Sequence, residues 1–201
     1  MAVSKVEIVN RALTLIGANP IVNLNDDTKN ARITNRIYDS TLKDILSETH
    51  WNFATKRVLL ATLATTQAWT YSGEIYTYQL PSDVITIIET NDRQATWRIE
   101  GETIVSDTAG LGIKYVYFLD DPTKYTVKFV AAFADILAAN LVFMVTNSNT
   151  GLENLLGRYK KVSLPSATGD NARQGTQQQM QDSEWELAKY GNSQGDSGYF
   201  I

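Results

Sequence analysis

Apolar residues recur at helical spacing from the first turn of the chain. Val6, Val9, Leu13 and Ile16 share one face, which predicts an amphipathic helix to about Ile16. Ser4 followed by Glu7 fits a capping box at its start. Gly17 and then Asn19-Pro20 predict its end. Asp26-Asp27 offers an N-cap for a longer helix to about Thr49. Ile33, Ile37, Thr41 and Ile45 form one row of it, and Tyr38, Leu42 and Leu46 the adjacent row. Arg32, Arg36, Asp39 and Lys43 cluster on the far side. That polar face serves equally as solvent surface or as a subunit contact. Trp51-Asn52-Phe53-Ala54 follows at once, two aromatics placed to anchor the next segment. Residues 56–66 fit the alternating and the helical templates alike, so their state stays open.

The period changes after Trp69. Residues 75–80 alternate as a strand does, and Pro81-Ser82-Asp83 stops them with turn chemistry. Residues 84–89 are β-branched and apolar, residues 96–100 and 103–105 flank Gly101 as a hairpin, and residues 113–119 read as another strand ended by Asp120-Asp121-Pro122. Helical pattern returns at Tyr125. From Phe129 to Val145 every residue is apolar except Asp135 and Asn140, a stretch shorter and more interrupted than the roughly 20 apolar residues of a membrane span. It reads as a buried helix of a bundle, with no membrane involved. Residues 151–162 continue as helix with Leu155, Tyr159 and Val162 in a stripe, and residues 167–189 are helix-compatible but very polar. The expected fold is therefore α+β, mainly α. It is an antiparallel helical bundle from residues 1–68 and 123–190, with a small inserted antiparallel β lobe at 69–122 and a flexible tail at 191–201.

Composition narrows the chemistry. The chain has 201 residues, no cysteine and a single histidine, His50. That excludes a disulfide framework, a thiol nucleophile and cysteine- or histidine-rich metal sites. The formal net charge is −4, without the clustered Lys and Arg that duplex binding requires. No secretory pattern opens the chain, so a cytoplasmic compartment is expected. Gly110-Leu111-Gly112 lacks the helix and lysine of a phosphate loop, and Ser40-Thr41-Leu42-Lys43 lies within an amphipathic helix. Asp26/Asp27 and Asp120/Asp121 sit where caps and turns favour Asp. Glu100 and Glu102, either side of Gly101, are the one carboxylate pair open to glycan hydrolysis. His50 reads as a packed or capping side chain, and Trp97-Arg98 is too common a pair to mark a nucleobase platform. No catalytic, cofactor or metal residue is assigned.

The order of landmarks carries a resemblance. Ala12-Leu13 and Leu15-Ile16-Gly17 are followed by Tyr38, Leu46 and Trp51-Asn52-Phe53-Ala54. Then come Tyr76-x-Tyr78-x-Leu80-Pro81-Ser82-Asp83, Trp97, an Ala/Leu-rich helix at 131–145, and Trp185-Glu186-x-x-Lys189. Over about residues 5–189 the chain resembles the tail tubular protein A family, head-to-tail adaptors of short-tailed phages, with similar proteins at the head–tail joint of some long-tailed phages. Pro165 and Gly169 depart from the long helix of that family, and Lys189 stands where Arg is frequent. The resemblance implies a homo-oligomeric ring of commonly about twelve copies. Its partners would be the portal protein, a nozzle-like tail tubular protein and, at the outside, tail fibres. DNA would traverse the channel without specific binding, and no cofactor is implied. The location implied is the virion tail, after assembly in the host cytoplasm. The outer face at Arg32, Arg36, Asp39 and Lys43 is the candidate subunit interface, and Tyr199-Phe200-Ile201 the candidate docking tail. The competing readings are a virion-borne glycan hydrolase and a scaffold absent from mature particles.

Overall fold

The first helix, α1 (Lys5–Leu15), begins where Ser4 accepts a hydrogen bond from the Glu7 amide at 3.1 Å. It ends in a Schellman motif: Gly17, at φ 69°, donates to Thr14, and Ala18 donates to Leu13. The second helix, α2 (Lys29–Ser47), is capped by Thr28, whose hydroxyl accepts from Ala31 at 3.2 Å. The expected Asp26-Asp27 cap is used otherwise. Asp26 closes the preceding loop by accepting from Val22 and Asn23, and Asp27 pairs with Arg32. In the computed structural model residues 3–64, 69, 73, 75–146 and 149–175 are described.

After α2 the chain runs through β1 (Thr55–Leu59), β2 (Tyr76–Gln79), β3 (Val84–Thr90), β4 (Trp97–Glu100), β5 (Thr103–Ser106) and β6 (Gly112–Tyr117). It then enters α3 (Val127–Thr146), α4 (Asn149–Arg158) and α5 (Leu164–Ala172). Helix α3 is apolar nearly all round, and α1, α2, α4 and α5 pack against it. It is the one helix among the described residues long and apolar enough to cross a membrane, and most of that stretch is buried inside the protein. Such a pattern marks the centre of a helical layer. Phe129 lies at the hub of an aromatic cluster, edge-on to Trp51 at 4.9 Å, to Phe53 at 4.8 Å and to Tyr125 at 4.9 Å. The buried Trp51 also donates its indole N–H to the Ile45 carbonyl at 2.8 Å. These contacts fix the direction in which the chain leaves α2.

The helix-dominated bundle with a small inserted lobe is not what forms. The described residues are 49% helix and 19% strand, with two antiparallel three-stranded sheets. The first sheet has the order β1–β6–β3 and the second β2–β5–β4. The strand region begins at Thr55, one residue before the stretch whose sequence fits both templates, and β1 runs into that stretch as far as Leu59. Both faces of the first sheet contribute side chains to a core. Val116, Ile85 and Ile88 join the helical core, whereas Ile113, Tyr115, Val84 and Ile87 join a second core shared with Tyr78, Ile104 and Leu111. The protein is thus layered as helices, first sheet, second sheet. A strand buried on two sides reads as a continuous apolar run, which is why residues 84–89 show no alternation. Register shifts in β3 against β6 keep Ile85 and Ile88 turned towards the helices.

Between α4 and α5 the helix widens into a π turn at Tyr159–Ser163, with the Leu164 amide donating to the Tyr159 carbonyl. Pro165 explains it, because proline has no N–H for the preceding turn and its ring crowds that turn's carbonyls. The chain stays helical through Pro165 and Gly169 by this local expansion. Near the end of α5, Asn171 donates to the His50 carbonyl at 2.9 Å and accepts from the Asn52 amide at 2.8 Å. Its own carbonyl accepts from the Asn52 side chain at 2.8 Å. These bonds staple α5 to the segment just before β1.

Candidate assembly surfaces

The outer face of α2 carries Arg32, Arg36, Asp39 and Lys43, all exposed. From Arg32 to Lys43 the row extends roughly 16 Å at 1.5 Å per residue. Arg32 is engaged by Asp27 at 2.6 Å, and the Lys43 ammonium sits 5.3 Å from the centre of the Phe118 ring. Arg36 and Asp39 have no ion-pair partner among the described residues. Along this row Arg36 and Asp39 thus stand a turn apart, a cation and an anion without an ion-pair partner among the described residues, between Arg32 and Lys43. Opposite charges at fixed spacing set register and orientation more than raw affinity. The other expected site, Tyr199-Phe200-Ile201, lies outside the described residues.

A second surface had no signature in the sequence. An open groove of about 480 Å³ runs over the end of the first sheet. Arg57, Val58 and Leu59 line it from β1, Glu89 from β3, and Gly112 and Lys114 from β6, with Asn91 and Arg93 from the following loop. Arg57 lies opposite Lys114, and Lys114 opposite Glu89, so all three side chains share one face. It is the face that carries Val116 into the helical core. The helices cover one end of this sheet face and leave the other open. Lys114 donates to Glu89 at 3.0 Å. That bond and the Lys114 charge, reinforced by Arg57 and Arg93, hold the Glu89 carboxyl below its usual range. One carboxylate therefore faces three cations. Asn91 shapes the rim by accepting from the Gly112 amide at 2.8 Å and donating to the Gly110 carbonyl at 3.1 Å.

Most of the residues considered for chemistry have structural partners, whereas Glu102 is bonded among the described residues only through its backbone carbonyl, which accepts from Leu80 and Gln79. Asp121 caps a short 3-10 turn through the Thr123 hydroxyl and amide, and the Thr123 bonds hold its carboxyl below the usual range. Asp120 pairs with Lys5. Glu100 pairs with Arg98 at 2.7 Å, and Gly101 turns the hairpin at φ 61°. Ser40 donates to its own helix backbone at Ile37, and Thr41 is buried. His50 is exposed, correcting the packed reading, and its backbone carbonyl takes the Asn171 bond. Tyr-x-Leu-Pro-Ser-Asp is a packing and turn block. Tyr78 is fully buried, and Asp83 accepts from Lys56 at 2.7 Å and from the Tyr115 hydroxyl at 3.0 Å. Burial alone would raise the Asp83 pKa, but these two bonds outweigh it and the carboxyl is held low.

One buried polar cluster stands apart. Asp135, 1% exposed within α3, is met by Arg158 at 3.1 Å and by the Ser163 hydroxyl, both on the same oxygen. Its other oxygen has no partner among the described residues. The cluster ties the π turn to the central helix. No group of three or more His, Asp or Glu side chains among the described residues is arranged to hold a metal ion. The chain matches no protein-family model and no curated protein.

Proposed function

We propose that this chain is a structural subunit of a ring-shaped adaptor at the head–tail joint of a phage particle. It would sit between the portal and the tail nozzle, and complete a channel that DNA crosses without specific binding. The observation that carries the reading is the outer face of α2, where Arg36 and Asp39 stand exposed, without an ion-pair partner among the described residues, between Arg32 and Lys43. A ring needs a directional, heterologous contact whose rotation closes, and such a face suits it. The shared landmarks with the tail adaptors support the same reading: the Trp-x-Phe-Ala and Tyr-x-Leu-Pro-Ser-Asp blocks serve packing and turns, as a structural subunit requires. Carboxylates spent on caps, turns and ion pairs support a role without catalysis or cofactor. The net charge of −4 suits a lumen that must not retain DNA.

The test is assembly. Full-length protein is analysed by size-exclusion chromatography with light scattering and by negative-stain imaging, alone and with the portal supplied. A closed ring in either setting supports the proposal, and Arg36→Glu or Asp39→Arg is expected to abolish it while leaving the fold intact. A strict monomer in both settings overturns it. Deleting residues 191–201 tests whether Tyr199, Phe200 and Ile201 anchor on a neighbouring copy, and unchanged assembly discards that role.

A further inference from the structure

Strand β1 is the outer strand of the first sheet and pairs only with β6 among the described residues. Its register decides which backbone groups face outwards. The Leu60 amide donates to the Leu111 carbonyl at 2.9 Å, so the hydrogen-bonded pairs of this ladder recur at Val58 with Ile113 and at Lys56 with Tyr115. Arg57 and Leu59 lie between them, and their N–H and C=O groups point away from β6. Gly112, opposite Leu59, agrees. Its carbonyl accepts from the Asn91 amide at 2.9 Å and its N–H donates to the Asn91 side chain at 2.8 Å, both on the β3 side. Thr55 takes no part, because its N–H closes the preceding turn onto Asn52. Arg57, Val58 and Leu59 are all exposed. The edge therefore offers two N–H and two C=O groups, at Arg57 and Leu59, as a template for one more strand.

The side chains beside this edge select the strand. Arg57 and Leu59 share the face of the groove, with Lys114 opposite Arg57 and Arg93 at the rim. Arg57 and Arg93 are exposed and have no ion-pair partner among the described residues, and Glu89 pairs only with Lys114. Leu59 is 69% exposed, and Gly112 opposite it has no side chain to cover it. A second copy is a poor occupant, because β1 against β1 would bring a second set of unbalanced cations onto the same face. We propose that β1 takes up an extended acidic segment of a different protein as an added antiparallel strand, with a carboxylate opposite Arg57 and an apolar side chain opposite Leu59. Since the two strands run in opposite directions, that segment reads apolar, any residue, acid from N to C. Strands lie about 4.8 Å apart, so the same carboxylate stands about 10 Å from Lys114, one strand further in. The edge is separate from the α2 face. A chain that binds such a segment without forming a ring keeps this proposal and loses the earlier one.

Fluorescence anisotropy of the full chain with the labelled peptide Gly-Thr-Leu-Thr-Glu-Thr-Glu-Gly is the test. Saturable binding is expected, weakened about tenfold when both Glu are replaced by Lys, and Arg57→Glu should remove that preference. N-methylation of the first Glu should weaken binding about tenfold, because it deletes the donor to the Arg57 carbonyl, whereas N-methylation of the Thr before it should not. Amide exchange by NMR on the unsubstituted chain is the second measurement. The peptide should protect Arg57 and Leu59 and leave Val58, already bonded to β6, unchanged. No saturable binding overturns the proposal. Equal binding of the Lys peptide overturns the charge selection, and indifference to N-methylation overturns strand addition. Equal competition by a single-stranded oligonucleotide of the same charge overturns it in favour of a phosphate ligand.

Discussion

Replacing Arg158 by Met would strip the buried Asp135 of its cation while keeping the aliphatic stem of the side chain in place. Asp135 is 1% exposed, one of its oxygens is already unpartnered, and the other takes both Arg158 and Ser163. Breaking a buried ion pair from one side costs about 3–5 kcal/mol, because the remaining charge is left uncompensated. The Arg158 side chain is 49% exposed, so water already screens part of the attraction, and the expected loss falls to about 2–3 kcal/mol. Asp135→Asn removes the charge, preserves the shape and keeps an acceptor for Ser163, so it should cost only about 1 kcal/mol. The double variant has no charge left to strand and should resemble Asp135→Asn alone. The two losses are then non-additive by about 2–3 kcal/mol. Urea unfolding followed by tryptophan fluorescence measures this, since Trp51 is fully buried beside Phe129, and the slope with urea should be unchanged across the set. Additivity within about 0.5 kcal/mol would refute the reasoning, because it would mean that the carboxylate is satisfied without Arg158.

Asn171→Ala removes both side-chain bonds that tie α5 to His50 and Asn52. It should cost about 2 kcal/mol in urea unfolding and speed amide exchange at Asn52. Ala138→Asp places a charge at a fully buried position of α3 and should abolish folding, seen as loss of the cooperative thermal transition by circular dichroism. Burial raises the pKa of Tyr38, Tyr125 and Tyr159 above the ordinary 10.0, with nearby charged or phenolic groups adding to it. A folded-state pKa above the unfolded one means that stability is intact below pH 10.0 and is lost as pH rises beyond it. Absorbance at 295 nm should show these phenols ionising only together with unfolding, and their free titration near pH 10.0 would contradict their burial.

The helical layer was legible because its signals are local. The Ser4 cap, the Gly17 stop, the stripe of α2 and the apolar α3 each lie within a few turns of their own sequence. The anchoring role of Trp51 and Phe53 followed from two large aromatics directly after a helix end. The sheet layers were not legible in the same way. Strand β1 is decided by its partner β6, which lies more than fifty residues away, and residues 56–66 carry no period that separates strand from helix. Once β1 is placed, β6 becomes a central strand with two buried faces, and the first sheet becomes the middle layer of the protein. The polar face of α2 needed only the helical period to be seen, whereas the groove needed the strand pairing first.

Arg57 shows why that pairing matters for function. In the sequence it is one of two adjacent cations, Lys56 and Arg57, with nothing to separate them. In the fold Lys56 turns to one side of β1, where it bonds Asp83 at 2.7 Å and lies 3.7 Å from the centre of the Tyr117 ring. Arg57 turns to the other side and faces Lys114 across the ladder. Like charges directly opposite on neighbouring strands are destabilising, and here Glu89 neutralises only Lys114. A residue that served folding alone would gain by losing this charge. Arg57→Thr should therefore leave the isolated fold at least as stable in urea, and its cost should emerge only where an acidic partner must be held. A clear loss of stability in that variant would place Arg57 in the fold rather than in an interface.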